Sequence, residues 1–370
     1  MNPVIIPSID PIPLPAPVWL MQFLSGLTFV LHVFAMNLVL GGGLLAVAVG
    51  WIARRQERPE YTRLAGHIAN VLPAATAMAI TMGVPPLLFL QVLYGPLFYT
   101  SSVLIAWPWL AVVGLLLVGY YGYYYFSLKK GEEGQPLIWA GLLASILFIL
   151  VGFIYTNNMT LMIQPERFGS LYRRKAHGLL LDLADPMLWP RYLHFFVGAL
   201  AVSALLVMVL GLIHRKDARY SESALQFGGI TFVGATLVQF GIGIWFLLSL
   251  RKPVVMRFMG LDLRATLIFG IAFLFALGAM IHVLVAALGR KPVAMTVIGA
   301  ACIVVTIILM TLMRAIVRDA YLGEDFVVMN QPVGPQWVVV GIFLVLLVAG
   351  LAVVGWMLHA VVTKRGLARE

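Results

Sequence analysis

Nine apolar runs, each about 20 residues or longer and free of carboxylates along its length, dominate this 370-residue sequence. A hydrocarbon layer about 30 Å thick needs roughly 20 such residues per helical crossing. Only helices and closed barrels can cross, because every backbone polar group must be satisfied internally. The runs do not alternate with period two, so helices are expected. The composition agrees: 62% of residues are hydrophobic and 11% charged, where soluble domains carry roughly 25% charge.

The expected spans are residues 18–53, 65–93, 102–127, 136–158, 191–213, 224–250, 265–289, 293–315 and 336–361. This is an all-α polytopic membrane protein of about nine transmembrane helices, read as one integral membrane domain over 1–370. A proline-rich extended segment, 1–17, precedes the first span, and the longest loop is 159–190. The first span exceeds the bilayer, so it tilts or projects. Residues 1–52 contain no Lys or Arg, so no cleavable signal peptide is expected. With nine spans, the basic stretches 54–63, 129–130, 215–219, 290–291 and 364–369 fall on one side. The positive-inside rule makes that side cytoplasmic. A bacterial inner membrane location follows, with the N-terminus outside and the C-terminus inside, and lipid as the surrounding partner.

The net charge of +10 does not point to nucleic acid, since no basic stripe with interleaved aromatics exists. The single cysteine, Cys302, can form no internal disulfide, and no CxxCH is present to attach a haem covalently. Any haem is therefore held non-covalently.

Seven histidines are the natural candidates for chemistry. His32 stands 22 residues before Arg54 and His194 21 residues before Arg215, or about 33 and 32 Å at 1.5 Å per residue. Both lie near the outer edge of the hydrocarbon layer, in TFVLHVFAMN and RYLHFFVGAL. An ionisable group inside a span is costly and marks a functional site by default. His67, His214 and His359 read as interfacial, and His282 as a packed core residue. Met310 and Met313, with Met36 and Met82, fall at the same outer depth, where a thioether is an available axial ligand as well as a packing filler. Arg314 and Arg318 end the eighth span and Arg191 precedes His194, positions suited either to bidentate contacts with haem propionates or to snorkelling. Trp107, Trp109 and the tyrosines of 120–125 are candidates to line a quinone or haem pocket.

The first span, WLMQFLSGLTFVLHVFAMNLVLGGGLLA, resembles the first helix of subunit I of the cytochrome bd quinol oxidases. AITMGVPPLLF, VGFIYTNNM and RYLHFFVGAL follow in the order found in that family, over about residues 18–215. The resemblance implies bd-oxidase subunit I-like helical bundles. It implies that His32 is an axial ligand of the high-spin haem pair and His194 the histidine ligand of the low-spin haem. Arg318, in VRDAYL, matches the arginine after the third haem site. The sequence also departs from the family. Helix-three glutamates are absent from SVLIAWPWLAVVGLLLVGYY, Ala315 stands where a glutamate ligand is expected, and Ile268 or Leu267 replaces the methionine partner. The quinol-binding loop after the sixth span is cut to RKPVVMRFMGLDLR.

The leading expectation is therefore a haem b-binding subunit that passes electrons between membrane quinol and a periplasmic carrier such as a c-type cytochrome. A bd-type terminal oxygen reductase, a haem-free membrane anchor for redox partners, and a transporter broken at 41–43 or 85–86 are the alternatives.

Overall fold

The computed structural model describes residues 12–128, 137–174, 176–323 and 325–367, with side chains described as far as Trp356. Lys129, Lys130, Lys175 and Arg369 lie outside the described residues, as does most of the extended segment 1–17. The side chains of His359, Lys364 and Arg365 lie outside them too.

The described chain is a bundle of helices. They are α1 (Val18–Gln56), α2 (Pro59–Leu104), α3 (Ala106–Leu128), α4 (Ile138–Met162), α5 (Phe168–Arg174), α6 (Leu188–Ile213) and α7 (Ala218–Ser249). After them come α8 (Lys252–Met256), α9 (Leu263–Ala287), α10 (Pro292–Leu322) and α11 (Trp337–Leu367). Among the described residues nine of these, all but α5 and α8, are long and apolar enough to cross a membrane. The end at which α1 begins is called the upper end here. The described basic connections Arg54–Arg63, Arg215–Arg219 and Arg290–Lys291 sit at the lower end.

α1 is the central staff, packed on by α2, α4, α6 and α10. Its triple glycine, weighed in the sequence as a break, is a contact surface instead. The helix runs unbroken from Val18 to Gln56. A side chain on Gly41 would overlap the Ala199 carbonyl of α6, and one on Gly43 would overlap the Tyr123 hydroxyl of α3. Small residues at such positions let membrane helices approach closely. Tyr123 donates to the Val39 carbonyl at 2.8 Å, and Ser203 of α6 donates to the Asn37 carbonyl at 2.8 Å.

α2 is longer than its apolar run predicts, because it continues through Pro73, Pro85, Pro86 and Pro96. Proline is tolerated in membrane helices where neighbours satisfy the freed groups. The break in geometry comes at Tyr94 (φ −130°, ψ 26°), not at 85–86. There the Gln331 side-chain amide donates to the Leu93 carbonyl at 2.7 Å.

The upper end is roofed by its connections. Leu14 pairs with the strand-like residues before α11, its N–H donating to Pro332 at 2.8 Å and its carbonyl accepting from Gly334 at 2.9 Å. In the long loop, Arg167 binds the buried carboxylates of Asp182, at 2.5 Å, and Asp185. Gln164 donates to Asp185 at 2.7 Å, and Asp185 also accepts the Met187 N–H at 2.8 Å. Arg251, just after α7, pairs with Glu166 and donates its backbone N–H to the Tyr321 hydroxyl at 3.1 Å. The long loop is thus fastened beside the end of α7 and, through Arg251, to α10.

Candidate functional site

Two apolar cores are stacked along the bundle axis. The lower one takes buried side chains from 33–49 of α1, 64–79 of α2, 199–210 of α6 and 303–307 of α10. The upper one takes them from 18–24, 89–104 and 317–322 of α1, α2 and α10. Neither takes a buried side chain from 25–32, 80–88, 188–198 or 308–316. The apolar cores thin at one level of four helices, where Thr28, Leu188 and Arg191 are buried but Phe29, Val30, Leu87, Met313 and Ile316 only partly so. His32, Arg191, His194, Met310, Met313 and Arg314 all belong to that level, and Arg318 stands one residue above Val317 of the upper core.

His32 is turned toward α2. Its Nδ1 lies 2.9 Å from the Ala79 carbonyl. A carbonyl only accepts, so Nδ1 carries the proton and Nε2 keeps its lone pair. This is the tautomer of metal-ligating histidines, whose second nitrogen donates to a carbonyl or carboxylate. One turn further on, a β-carbon at Gly83 would stand 2.9 Å from the His32 Cε1. Glycine is what lets the ring lie against α2. His32 and Phe29 remain half-exposed although they point away from the exposed stripe Trp19, Phe23 and Leu27.

His194 is turned the other way, toward α7. A β-carbon at Gly243 would lie 3.4 Å from its Cε1, and the Phe246 ring centroid is 6.2 Å away. Gln239, one turn before Gly243, donates its amide to the His194 carbonyl at 2.7 Å. The His194 Nδ1 and the Gln239 Oε1 are both buried without a hydrogen-bond partner among the described residues. Orphaned buried polar atoms are rare and call for an explanation. The two imidazoles therefore face different seams, α1/α2 and α6/α7, rather than gripping one flat group between them. Among the described residues no group of three or more His, Cys, Asp or Glu is placed to hold a bare metal ion.

Cations surround this level. Arg314 lies 4.2 Å from the Phe29 ring centroid. Arg191 donates to the Met159 carbonyl at 3.2 Å and the Thr160 hydroxyl at 3.3 Å. Neither forms an ion pair among the described residues. Arg318 reaches Asp319 at 3.1 Å and stands 4.2 Å over Tyr94. Met310, Arg314 and Arg318 are four residues apart, so they share one stripe of α10. Beside it, Thr311 meets the open face of Gly26 on α1. Met313 packs against the upper core.

Other residues singled out in the sequence fall elsewhere. Tyr121, Tyr124 and Tyr125 are exposed at the lower end of α3, and Trp107 is exposed at its top. Trp109 packs between Phe98 and Tyr155, 5.6 and 4.7 Å away. His282 spends Nδ1 on the Gly278 carbonyl of its own helix at 2.6 Å. The structure also makes a contact that linear spacing hides. His67 and His214 stack at the lower end, centroids 4.5 Å apart, and Tyr220 meets His67 Nδ1 at 2.7 Å. Gly83, Gly243 and Gln239 were not readable as site residues, because each acts on a histidine far away in sequence.

No family model matches the sequence, and no curated protein matches it. Among solved structures the chain resembles the bd oxidase from Geobacillus thermodenitrificans, with a TM-score of 0.74 at 13% identity. The likeness covers 97% of this chain and 100% of that one. Divergent as its sequence is, this chain has the bd oxidase fold.

Proposed function

We propose that this chain is the haem b-binding membrane subunit of a respiratory electron-transfer complex, taking electrons from membrane quinol and passing them to a periplasmic carrier such as a c-type cytochrome. The observation that carries the reading is the gap between the two cores. It holds two imidazoles, each set against a glycine of another helix, together with two arginines that have no acid partner among the described residues.

The residues fit the group. His32 would ligate through Nε2, its Nδ1–H fixed on Ala79. His194 supplies the second imidazole, with Gln239 and Gly243 holding its place on α7. Arg191, Arg314 and Arg318 would meet the propionates, which restore charge balance at a level otherwise rich in cations. Met310 is the thioether within reach of the same stripe, and Met313 the one nearest the upper core. Haem there supplies reversible one-electron transfer, with potential set by ligands and burial. The upper end would face the periplasm by the charge of the lower connections.

A bd-type oxygen reductase is the second reading, favoured by the fold. Against it stands the absence of any carboxylate in residues 25–32, 80–88, 188–198 and 308–316. A pyridine haemochrome spectrum of the purified protein decides first. A b-type signal lost in stages by His32→Ala and His194→Ala supports the proposal; no signal leaves the haem-free anchor. Oxygen consumption by the reduced complex separates the oxidase from the electron carrier.

A further inference from the structure

The connection between α7 and α9 carries a second feature, independent of the haem reading. The positive-inside rule leaves little reason for cations at the upper end. Of the ten described there, Arg173 and Arg174 stand exposed on α5 and five others have a structural use. Arg167, Arg251 and Arg318 are ion-paired, and Arg191 and Arg314 belong to the gap. Lys252, Arg257 and Arg264 do not: all three are exposed and form no ion pair among the described residues. They lie within 13 residues of one another, with Asp262 as the single acid between them. That acid is occupied in capping α9, accepting from the N–H groups of Arg264 and Ala265 at 2.9 and 3.2 Å.

The same stretch exposes Met256 (43%), Met259 (47%), Leu261 (72%) and Leu263 (71%). It is nevertheless a built element. Val254 and Phe258 anchor it in the upper core. Gly260 turns the chain at φ 109°, and its N–H donates to the Thr266 hydroxyl at 3.0 Å. Thr266 donates in turn to the Asp262 carbonyl at 2.9 Å. A short segment buried on one side, with apolar tips and cations on the other, is the form of an interfacial membrane element. We infer that residues 252–264 lie in the headgroup layer at the upper end and bind anionic phospholipid. Lys252, Arg257 and Arg264 hold the phosphate groups, and Leu261 and Leu263 enter the acyl boundary. Charge complementarity selects the lipid class, because three unpaired cations favour anionic headgroups over zwitterionic ones.

The test uses the full-length protein in detergent, titrated with phosphatidylglycerol or phosphatidylcholine and read by native mass spectrometry. We expect roughly tenfold or greater preference for phosphatidylglycerol. A Lys252→Gln/Arg257→Gln/Arg264→Gln variant should lose that preference, and a Leu261→Gln/Leu263→Gln variant should weaken retention of both lipids. All five side chains are exposed, so unchanged thermal unfolding in detergent checks that the variants fold. Equal retention of the two lipids by the unaltered protein overturns the inference. So does displacement of the lipid by millimolar inorganic phosphate, which marks a free-anion site, or an anionic preference that survives in the triple-Gln variant.

Discussion

Gly83 of α2 and His32 of α1 touch so closely that a β-carbon on the glycine would stand 2.9 Å from the imidazole Cε1. With any side chain there, the ring or α2 must shift from the position in which Nδ1 reaches the Ala79 carbonyl at 2.9 Å. Gly83→Ala should push the ring away and cost about 1–3 kcal/mol, the usual penalty of overpacking. Where haem is bound, the same change should lower its content or shift its absorption bands. An unaltered spectrum together with unaltered thermal unfolding would show that the contact does not matter.

Arg314 should behave oppositely in the loaded and empty protein. A partly buried guanidinium with no acid partner among the described residues is a partly desolvated charge. Arg314→Leu should therefore leave the unfolding temperature of haem-depleted protein unchanged or raise it. The same substitution should weaken haem retention by about 2–3 kcal/mol, the scale of a hydrogen bond to a charged group. Titration of the depleted protein with haem measures the second effect. Equal effects on both forms would exclude a role in holding the group.

Arg167 fastens the upper loop through two buried carboxylates at once. Arg167→Ala leaves both without a counter-charge, and removing one partner of a buried pair costs about 3–5 kcal/mol. Because Arg167 keeps some exposure, the lower end of that range is expected. Limited proteolysis between Pro165 and Met187 should become fast in the variant. Resistance equal to the parent would mean that the loop is held by other contacts.

At the lower end, Asp217 caps α7 on the Tyr220 N–H at 3.1 Å and pairs with Arg63 of α2 at 2.6 Å. The backbone N–H first, and then the arginine, lower its pKa below the ordinary carboxylate value. A depressed folded-state pKa gives stability that is present above the unfolded value and is lost as pH falls through the folded one. Asp217→Asn should therefore be less stable than the parent at neutral pH, and the two should converge in acid. Parallel stability curves from neutral to acid pH would sink this account.

The sequence by itself determined the solvent, the helix count and the similar depth of two histidines. Long apolar runs without carboxylates have only one inexpensive environment, and counting residues from Arg54 and Arg215 places His32 and His194 at similar depth. The first-helix resemblance pointed to the fold that the solved bd oxidase shares. Tertiary structure alone decided which way those histidines face, since rotation about a helix axis is set by the neighbours it packs on. The glycines illustrate the division. In sequence, 41–43 reads as a possible helix break, yet Gly41 and Gly43 are where α6 and α3 press against an unbroken helix. Gly83 and Gly243 carry no local signal, because the ring that each one admits lies on a different helix. A one-dimensional pattern records what a residue prefers, whereas the site depends on which residues the packing brings together.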